Sequence, residues 1–370
     1  MNSTNLMTET ILPRESAAPV QPFPPFTVII PARNAGLTLG PVLDSIFRAT
    51  LQPAQVIVVN DGSTDVTPVI ASAYPCEQLH VSIQKGPMEA RFAGIGSAAH
   101  SLLVFVDADV CVKPDTFERL LAHFKNPEVH AVTGLLSKGA DHENFFSAFK
   151  NEYMNFIFRK QPASSRFIYG SLWAIRSQDL SVFVPTSSPF GSAVSDSEFG
   201  LLLRRRGKKI ILDRALEVDH LKRYHFTSLL LNDFKIPFLF ALLLVKYGWT
   251  PSARKAGKFS HASFGQVAAN ALAFFTLYAL IPVFQQKHGP WLSFAAAALA
   301  AVFFYWRKFL AGLVRRRGLV FLIKALFFIL LDGAIMFVGM NAGLVYAAIR
   351  SLQTRLGRFL YVRKLKHSHF

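Results

Sequence analysis

The stretch Ser101–Val110, SLLVFVDADV, limits the fold more than any other part of this chain. Five apolar residues, Leu102–Val106, run directly into Asp107-Ala108-Asp109. An apolar run of this length fits a strand covered on both faces, as in parallel sheets flanked by helices. Side chains alternate along an extended chain, so the two carboxylates point the same way and repel unless a positive charge lies between them. A hard divalent cation, Mg2+ or Mn2+, meets that need, because it takes oxygen ligands and is shared with substrate phosphates. The plainer alternative is an Asp-rich turn ahead of a helix that starts near Pro114.

The same strand–turn–helix pattern repeats around this stretch. Thr27–Ile30 reads as a strand stopped by Pro31, Leu37–Ala49 as a helix and Gln55–Val59 as a second buried strand. Next comes Asn60-Asp61-Gly62-Ser63-Thr64-Asp65, a tight Asp-Gly turn with Ser63 or Thr64 as a helix N-cap. His80–Ile83 is expected as a third strand, Pro87–Ala99 as a helix and Val129–Gly134 as a further strand. This alternation predicts an α/β fold with a mostly parallel sheet, ligands binding beyond the carboxyl ends of its strands. Asp61, Asp107 and Asp109 all fall at such ends. Two acidic turns at one edge make a candidate site.

Further on, Glu143–Lys160 reads as a long Phe-rich helix, and Ile168–Ile175 as extended chain crossing a Gly-Ser turn. Ser195–Gly207 is a short helix with Asp196 and Glu198 at its start, Arg204-Arg205-Arg206 at its end and Gly207 as its C-cap. That polarity suits the helix dipole, so each of these charges has a structural explanation available.

Beyond Phe234 the composition changes. Ile236–Val245 is too short to span a bilayer and is expected in the interface. Gly265–Phe284 and Trp291–Trp306 read as crossings with aromatic belts. Leu319–Ile349 is apolar for longer than one crossing needs, broken only by Lys324, Asp332 and Asn341. The chain carries 40 Lys and Arg against 23 Asp and Glu, a net charge of +17, with 51% hydrophobic residues. A basic excess serves nucleic acid or an anionic membrane surface, and so apolar a composition selects the membrane. Cys76 and Cys111 form no framework pattern. Met1–Pro25 lacks the basic start and apolar core of a signal peptide and reads as a disordered arm.

In order and spacing, Phe26–Phe234 resembles the inverting family-two glycosyltransferases of the GT-A fold. Val28-Ile29-Ile30-Pro31-Ala32-Arg33-Asn34 is similar to that family's opening strand and turn. Val58–Asp65, VVNDGSTD, resembles its nucleotide-binding loop, with Asn60 where Asp is common. Ala90-Arg91 resembles the stretch beside the base, although Phe92 stands where Asn is usual. Asp107-Ala108-Asp109 matches the metal-diphosphate motif, and Ser195-Asp196 falls where Glu-Asp is expected. The resemblance implies Asp61 on the nucleobase, Arg91 flanking it, Asp107 near the ribose, and Asp107 with Asp109 on the metal. Pro31, Arg33, Asn34 and Ala108 would complete the nucleotide-sugar site, with His220 as a further metal contact. Asp196 would be the base that deprotonates the acceptor, with Glu198 as its rival because Ser195 departs from the pattern. An N-cap role for Asp196 remains the alternative.

The family's processive members carry a Gln/Arg-x-x-Arg-Trp motif after the catalytic Asp, and none occurs here. Transfer of one sugar from a UDP- or GDP-type donor to a membrane-embedded acceptor, a polyprenyl phosphate or a glycolipid, is therefore expected. A processive synthase and a membrane-anchored, non-catalytic binding homologue are the alternatives; a nucleic-acid partner is not expected. The division expected is an arm over 1–25, a catalytic domain over 26–234, a membrane region over 235–350 and a basic tail over 351–370. The catalytic domain is expected on the cytoplasmic side of the inner membrane. Counting basic residues per loop then favours a re-entrant hairpin at Leu319–Ile349, turning at Asp332-Gly333, and a cytoplasmic C-terminus.

Overall fold

In a computed structural model, which describes residues 23–81, 86–138, 144–182, 194–248, 258–259, 262–284 and 289–367, two fully buried strands lie side by side. They are β1 (Phe26–Ala32) and β4 (Leu102–Val106), paired in parallel with Val28 against Val104. On the other side of β1 lie β2 (Gln55–Asn60) and then β3 (Glu77–His80), both parallel. The third strand thus starts three residues earlier than His80–Ile83, because its ladder partner ends at Asn60; residues 82–85 lie outside the described residues. Pro31 does not stop β1. Pairing with β4 ends at Ile29, so the missing N–H of Pro31 costs no ladder bond on that side.

The rest of the sheet is mixed rather than mostly parallel. Among the described residues, nine strands run in the order β3-β2-β1-β4-β8-β6-β9-β5, with β7 (Ser164–Ser165) on β9. β6 (Val129–Leu136) leaves a gap beside β4, and β8 (Leu172–Arg176) fills it antiparallel to both. This reversal serves the site. It brings Gly170 and Ser171, just ahead of β8, to the edge where β4 ends, and Asp107 N–H donates to Ser171 O. β9 (Lys209–His220) ends against β5 (Val110–Cys111), so His220 faces Val110.

Strand alternation sorts the core. Val28, Ile30, Val56, Val58 and Val104 pack under α1 (Leu39–Phe47) and α4 (Thr116–Ala122). Ile29, Ile57, Val59, Leu103 and Phe105 pack under α3 (Pro87–Gly96) and α6 (Ser195–Arg205). Each buried aliphatic or aromatic side chain contributes about 1.5–3 kcal/mol, so both faces need helices. Gly207 ends α6 with φ 75°, the left-handed C-cap the sequence calls for.

A third core joins this domain to the C-terminal helices. The Phe-rich run forms α5 (Phe145–Arg159), and its Phe149 and Tyr153 pack against Trp306, Phe309 and Phe328. α7 is Phe226–Tyr247 and α8 is Phe264–Phe284. The remaining helical run, Gly289–His367, breaks at Gly318 (φ 81°, ψ −179°) into α9 (residues 289–317) and α10 (residues 319–367). α7, α8 and the α9–α10 run are long and apolar enough to cross a membrane. Exposed Phe275, Tyr278, Ile281, Leu292, Phe294, Phe304, Val320, Phe327 and Val345 spread over α8–α10, far more apolar surface than a soluble bundle leaves uncovered.

Two expectations are corrected here. Ile236–Val245 is only the end of α7, a 22-residue helix that runs through Asn232 and Asp233 because the Asp233 carboxylate is buried on Lys150 of α5. Both ends of α7 touch the N-terminal α/β domain, Phe226 beside Phe146 and Lys246 on Glu198. The hairpin at Asp332-Gly333 does not form. α10 continues through it, because Asp332 is buried and a Cβ on Gly333 would stand only 3.1 Å from that of Ala273 on α8, a close helix contact and not a turn. The break sits at Gly318 instead, where Arg316 and Arg317 bind the buried Glu152 of α5.

α10 meets α7 through a Gly-x-x-x-Gly pair. A Cβ on Gly339 would lie 2.3 Å from Phe234 O, and one on Gly343 2.4 Å from Phe238 O. Gly343→Val should therefore force the helices apart at a cost of about 1–3 kcal/mol, read as a lower unfolding midpoint of the intact protein in lipid nanodiscs.

Candidate active site

The carboxyl ends of β1, β2 and β4 open onto a cavity of about 1080 Å³. Its floor begins at Pro31, Ala32, Arg33 and Asn34. Asn34 adopts φ 47°, a left-handed conformation that Asn tolerates, and its Oδ1 accepts from Thr64 N–H at 2.9 Å. Its own N–H donates to Ser63 Oγ at 3.1 Å, so the first turn braces the second. Asn60 Oδ1 accepts from Ser63 N–H at 2.9 Å, a task that needs an oxygen and no charge. That explains how Asn serves in place of Asp. Neither Ser63 nor Thr64 caps a helix. α2 (Thr67–Ser72) starts later, and Asp65 holds the N–H groups of Thr67 at 3.0 Å and Gly36 at 2.9 Å. Asp61, buried at the end of β2, accepts from Gly86 N–H at 2.9 Å.

Arg91 of α3 is 4% exposed and donates through Nη2 to Asp107 Oδ1 at 2.5 Å and to Gly170 O at 3.3 Å. The cation beside Asp107 is thus a side chain. Burial still raises the Asp107 carboxyl above its ordinary value, against the pull of Arg91. Asp109 differs. Burial pushes it up, but His220 and Lys222 outweigh that and hold it below the usual carboxylate value. The like-charge crowding expected of Asp-x-Asp is relieved by giving each carboxylate its own cationic neighbour.

His220 Nε2 lies 3.6 Å from Asp109 Oδ2, too long for a hydrogen bond and short enough for both atoms to share one cation. The backbone fixes this pair, because Leu221 N–H donates to Asp109 O at 2.7 Å. His220 Nδ1 lies 3.4 Å from Asn151 Oδ1; a proton on Nδ1 leaves the Nε2 lone pair facing Asp109. A carboxylate and an imidazole suit Mn2+ or Mg2+ as an open half-site. Among the described residues no group of three such ligands occurs, so phosphate oxygens would have to fill the rest of the shell.

Asp196 sits in the first turn of α6, where Val194 is the N-cap and makes no side-chain cap bond. The Asp196 carboxylate accepts from Gly170 N–H at 2.6 Å and Ser197 N–H at 2.8 Å. It therefore bridges α6 to the loop before β8 and does not cap a helix. Burial pushes its pKa up to about 6, with Arg91 pulling the other way. Glu198 lies elsewhere, accepting from Lys246 Nζ at 2.8 Å and Tyr247 OH at 2.6 Å at the far end of α7. Of the residues singled out in the sequence, the cavity gathers Pro31, Arg33, Asn34, Asp61, Arg91, Asp107, Ala108, Asp109, Asp196 and His220, and leaves Glu198 out.

A second cavity of about 370 Å³, mostly apolar, lies between α5, α7, α8 and α10. Phe158, Phe167, Ile236, Phe240, Leu244, Val267, Phe337 and Met340 line it. Tyr169, Asp196, His220, Tyr224, Asn232 and Ile236 line both cavities and form the neck between them. Sequence reasoning missed Tyr169, Tyr224 and Asn232. Their only local signal was polarity beside apolar runs, which is common to surface residues.

The family model for glycosyl transferase family 2 matches residues 27–183. A 4,4'-diaponeurosporenoate glycosyltransferase of Staphylococcus aureus is 34% identical over 131 residues, covering 33% of this chain and 34% of that protein. The chain thus spans about a third of the length of the curated relatives it matches. A mannosyltransferase from Pyrobaculum calidifontis, solved with GDP-Man and Mn2+, superposes with a TM-score of 0.50 at 18% identity, over 89% of this chain and 87% of that one. Glucosyl-3-phosphoglycerate synthase from Mycobacterium tuberculosis, solved with Mn2+ and UDP, gives 0.43 at 21% identity over 62% and 82% of the two chains. The sheet order, the acidic turns at its carboxyl edge and the family match agree over one region: residues 27–183 match glycosyl transferase family 2, in a domain of GT-A fold followed by helices apolar enough to cross a membrane.

Proposed function

We propose that this protein moves one sugar from a nucleotide-diphospho-sugar of the UDP or GDP type to a membrane-embedded acceptor, with inversion. The observation that carries the reading is Asp196, a carboxylate at the neck where a polar cavity meets an apolar one. The donor occupies the polar cavity, with Asp61 on the base, Arg91 beside it and Asp107 on the ribose. Arg33, Asn34, Pro31 and Ala108 shape the walls. Asp109 and His220 would hold a divalent cation, Mg2+ or Mn2+, which neutralises the charge developing on the diphosphate. The acceptor enters through the apolar cavity and presents its hydroxyl at the neck. Its oxygen forms a bond to the anomeric carbon as the bond to the diphosphate oxygen breaks and takes its electron pair. The hydroxyl proton passes to Asp196. Attack from the side opposite the leaving group inverts the anomeric centre without a covalent intermediate.

In this reading the catalytic domain, residues 26–234, lies at the cytoplasmic face of the inner membrane. The helical region, 235–350, anchors it through the apolar surface of α8–α10, and the basic tail, 351–370, meets the anionic leaflet. Screening the purified protein against several nucleotide sugars, with Mn2+ and native lipid extract, tests the whole reading. Nucleotide release together with a glycosylated lipid supports it. A protein that binds the donor and never turns it over is the non-catalytic homologue instead.

Two expectations follow from the site. Asp109→Asn removes one ligand charge and should weaken divalent-metal affinity about 10–100-fold, measured by Mn2+ titration and by the EDTA sensitivity of turnover. Full activity in EDTA would refute the metal role of Asp109 and His220 alike. Gly170→Ala should act on the base, because its Cβ would lie 2.9 Å from Asp196 Oδ2. A displaced carboxylate should lower kcat about 10-fold or more, with donor affinity kept.

A further inference from the structure

The neck carries a chemical preference of its own. Asn232 and Ile236 stand one turn apart on α7 and both line the passage from the apolar cavity to Asp196. Asn232 Nδ2 donates to Asp233 Oδ1 at 2.8 Å, and Asp233 is held by Lys150 in a buried ion pair. The carboxamide is therefore fixed from behind, and its Oδ1 makes no hydrogen bond among the described residues. Apart from His220, the charged residues lining the apolar cavity are Asp196, Asp233 and Lys150. Lys150 is already neutralised by Asp233, which leaves the neck negative at Asp196. The other basic groups stand elsewhere, since Lys222, which lowers the pKa of Asp109, and Arg223 line only the polar cavity, where a donor diphosphate would bind.

We propose that this neck selects an acceptor lipid whose reacting head is an uncharged hydroxyl, and that Asn232 orients that hydroxyl toward Asp196. The inference rests on the glycosyltransferase reading above and narrows it. A phosphate or carboxylate head drawn into the neck from the membrane side would meet Asp196 with no unpaired Lys or Arg among the described residues of the apolar cavity to offset it, and like charges brought together out of water repel strongly. A hydroxyl costs far less to desolvate once it is hydrogen-bonded. It donates to Asp196 and sits beside the Asn232 amide, while its hydrocarbon chain lies along Phe240, Leu244, Phe337 and Met340. The buried Lys150–Asp233 pair acts as a positioning device, because it sets which way the Asn232 amide faces.

The test uses the intact protein in nanodiscs and three probes with one chain and three heads: hexadecanol, palmitate and hexadecyl phosphate. Each competes against tritiated hexadecanol. The alcohol should bind about 10-fold or more tightly than either anion. Asn232→Leu should lower alcohol affinity about 10-fold with the unfolding midpoint kept, and Asn232→Gln should restore part of it. A purely structural role for Asn232 would lower the midpoint and leave the order of the three heads unchanged. Asn232→Lys, which puts a cation in the neck, should invert that order. An anionic probe that binds the wild type as tightly as the alcohol overturns the proposal, and so does the failure of all three to bind. The parent reading is judged separately. If nucleotide release with lipid extract is seen while the heads are not discriminated, only this inference falls.

Discussion

Asp196→Asn should lower kcat by about 10²–10³-fold while donor binding survives, because the acceptor hydroxyl loses the group that takes its proton. The buried carboxyl, pushed up to about 6, also fixes the pH dependence. A base works only when ionised, so kcat should fall tenfold per pH unit below about 6 and level off above it. In the Asn variant that limb should vanish with the activity. Stability should move the opposite way. A carboxyl whose pKa is raised in the folded state holds its proton more tightly there than in the unfolded chain. Its ionisation therefore costs stability as the pH climbs from the usual carboxylate range through about 6. At pH 7 Asp196→Asn should melt higher than the wild type while being nearly inactive, the trade expected of a group kept for chemistry. Glu198→Gln supplies the contrast. It weakens the bonds to Lys246 and Tyr247 and should lower the melting point with kcat within a few-fold of wild type. The reverse result, an inactive Glu198→Gln and an active Asp196→Asn, would move the base to α7's end and refute the neck as the reaction centre.

What the sequence disclosed and what it hid follow from the range of the forces involved. Leu102–Val106 was legible because burial on both faces writes an uninterrupted apolar run, and the strand occupies those five residues. The acidic turns were legible because strand ends at one edge must share that edge. The antiparallel insertion of β8 was not, since nothing local in Leu172–Arg176 says which strand it will pair with. The partner of Asp107 was hidden for the same reason. Arg91 lies 16 residues away and reaches it only when α3 packs over the sheet. In the helical region, the polar residues ahead of Ile236 hid the true start of α7 at Phe226, and Asp332 and Gly333 suggested a break. Each polar residue was read against water or lipid, although its partner is another helix. Lys150, Asp233 and Asp332 belong to α5, α7 and α10, and no window of sequence holds all three.

That cluster sets the second large expectation. Lys150→Met should destabilise the protein by about 3–5 kcal/mol, because it strips the cation from a carboxylate that is 2% exposed. Asp332 of α10, itself buried beside Asp233, sharpens the loss: the two carboxylates share a single lysine. The ion pair has already borne the desolvation of both its partners, so its net worth against a packed apolar pair is small while the penalty for halving it is large. Lys150→Met combined with Asp233→Leu should therefore recover part of the melting point that the single change loses, since Asp332 is then left buried without its lysine. A double-mutant cycle in nanodiscs measures the difference as a coupling energy. Activity should not recover in step. With Asp233 gone the Asn232 amide loses its support, and the doubly substituted protein should fold stably while binding hexadecanol about as weakly as Asn232→Leu. Recovery of stability and alcohol binding together would show that the pair only holds α5 to α7. Recovery of stability alone would separate the two roles, one in packing and one in aiming the acceptor.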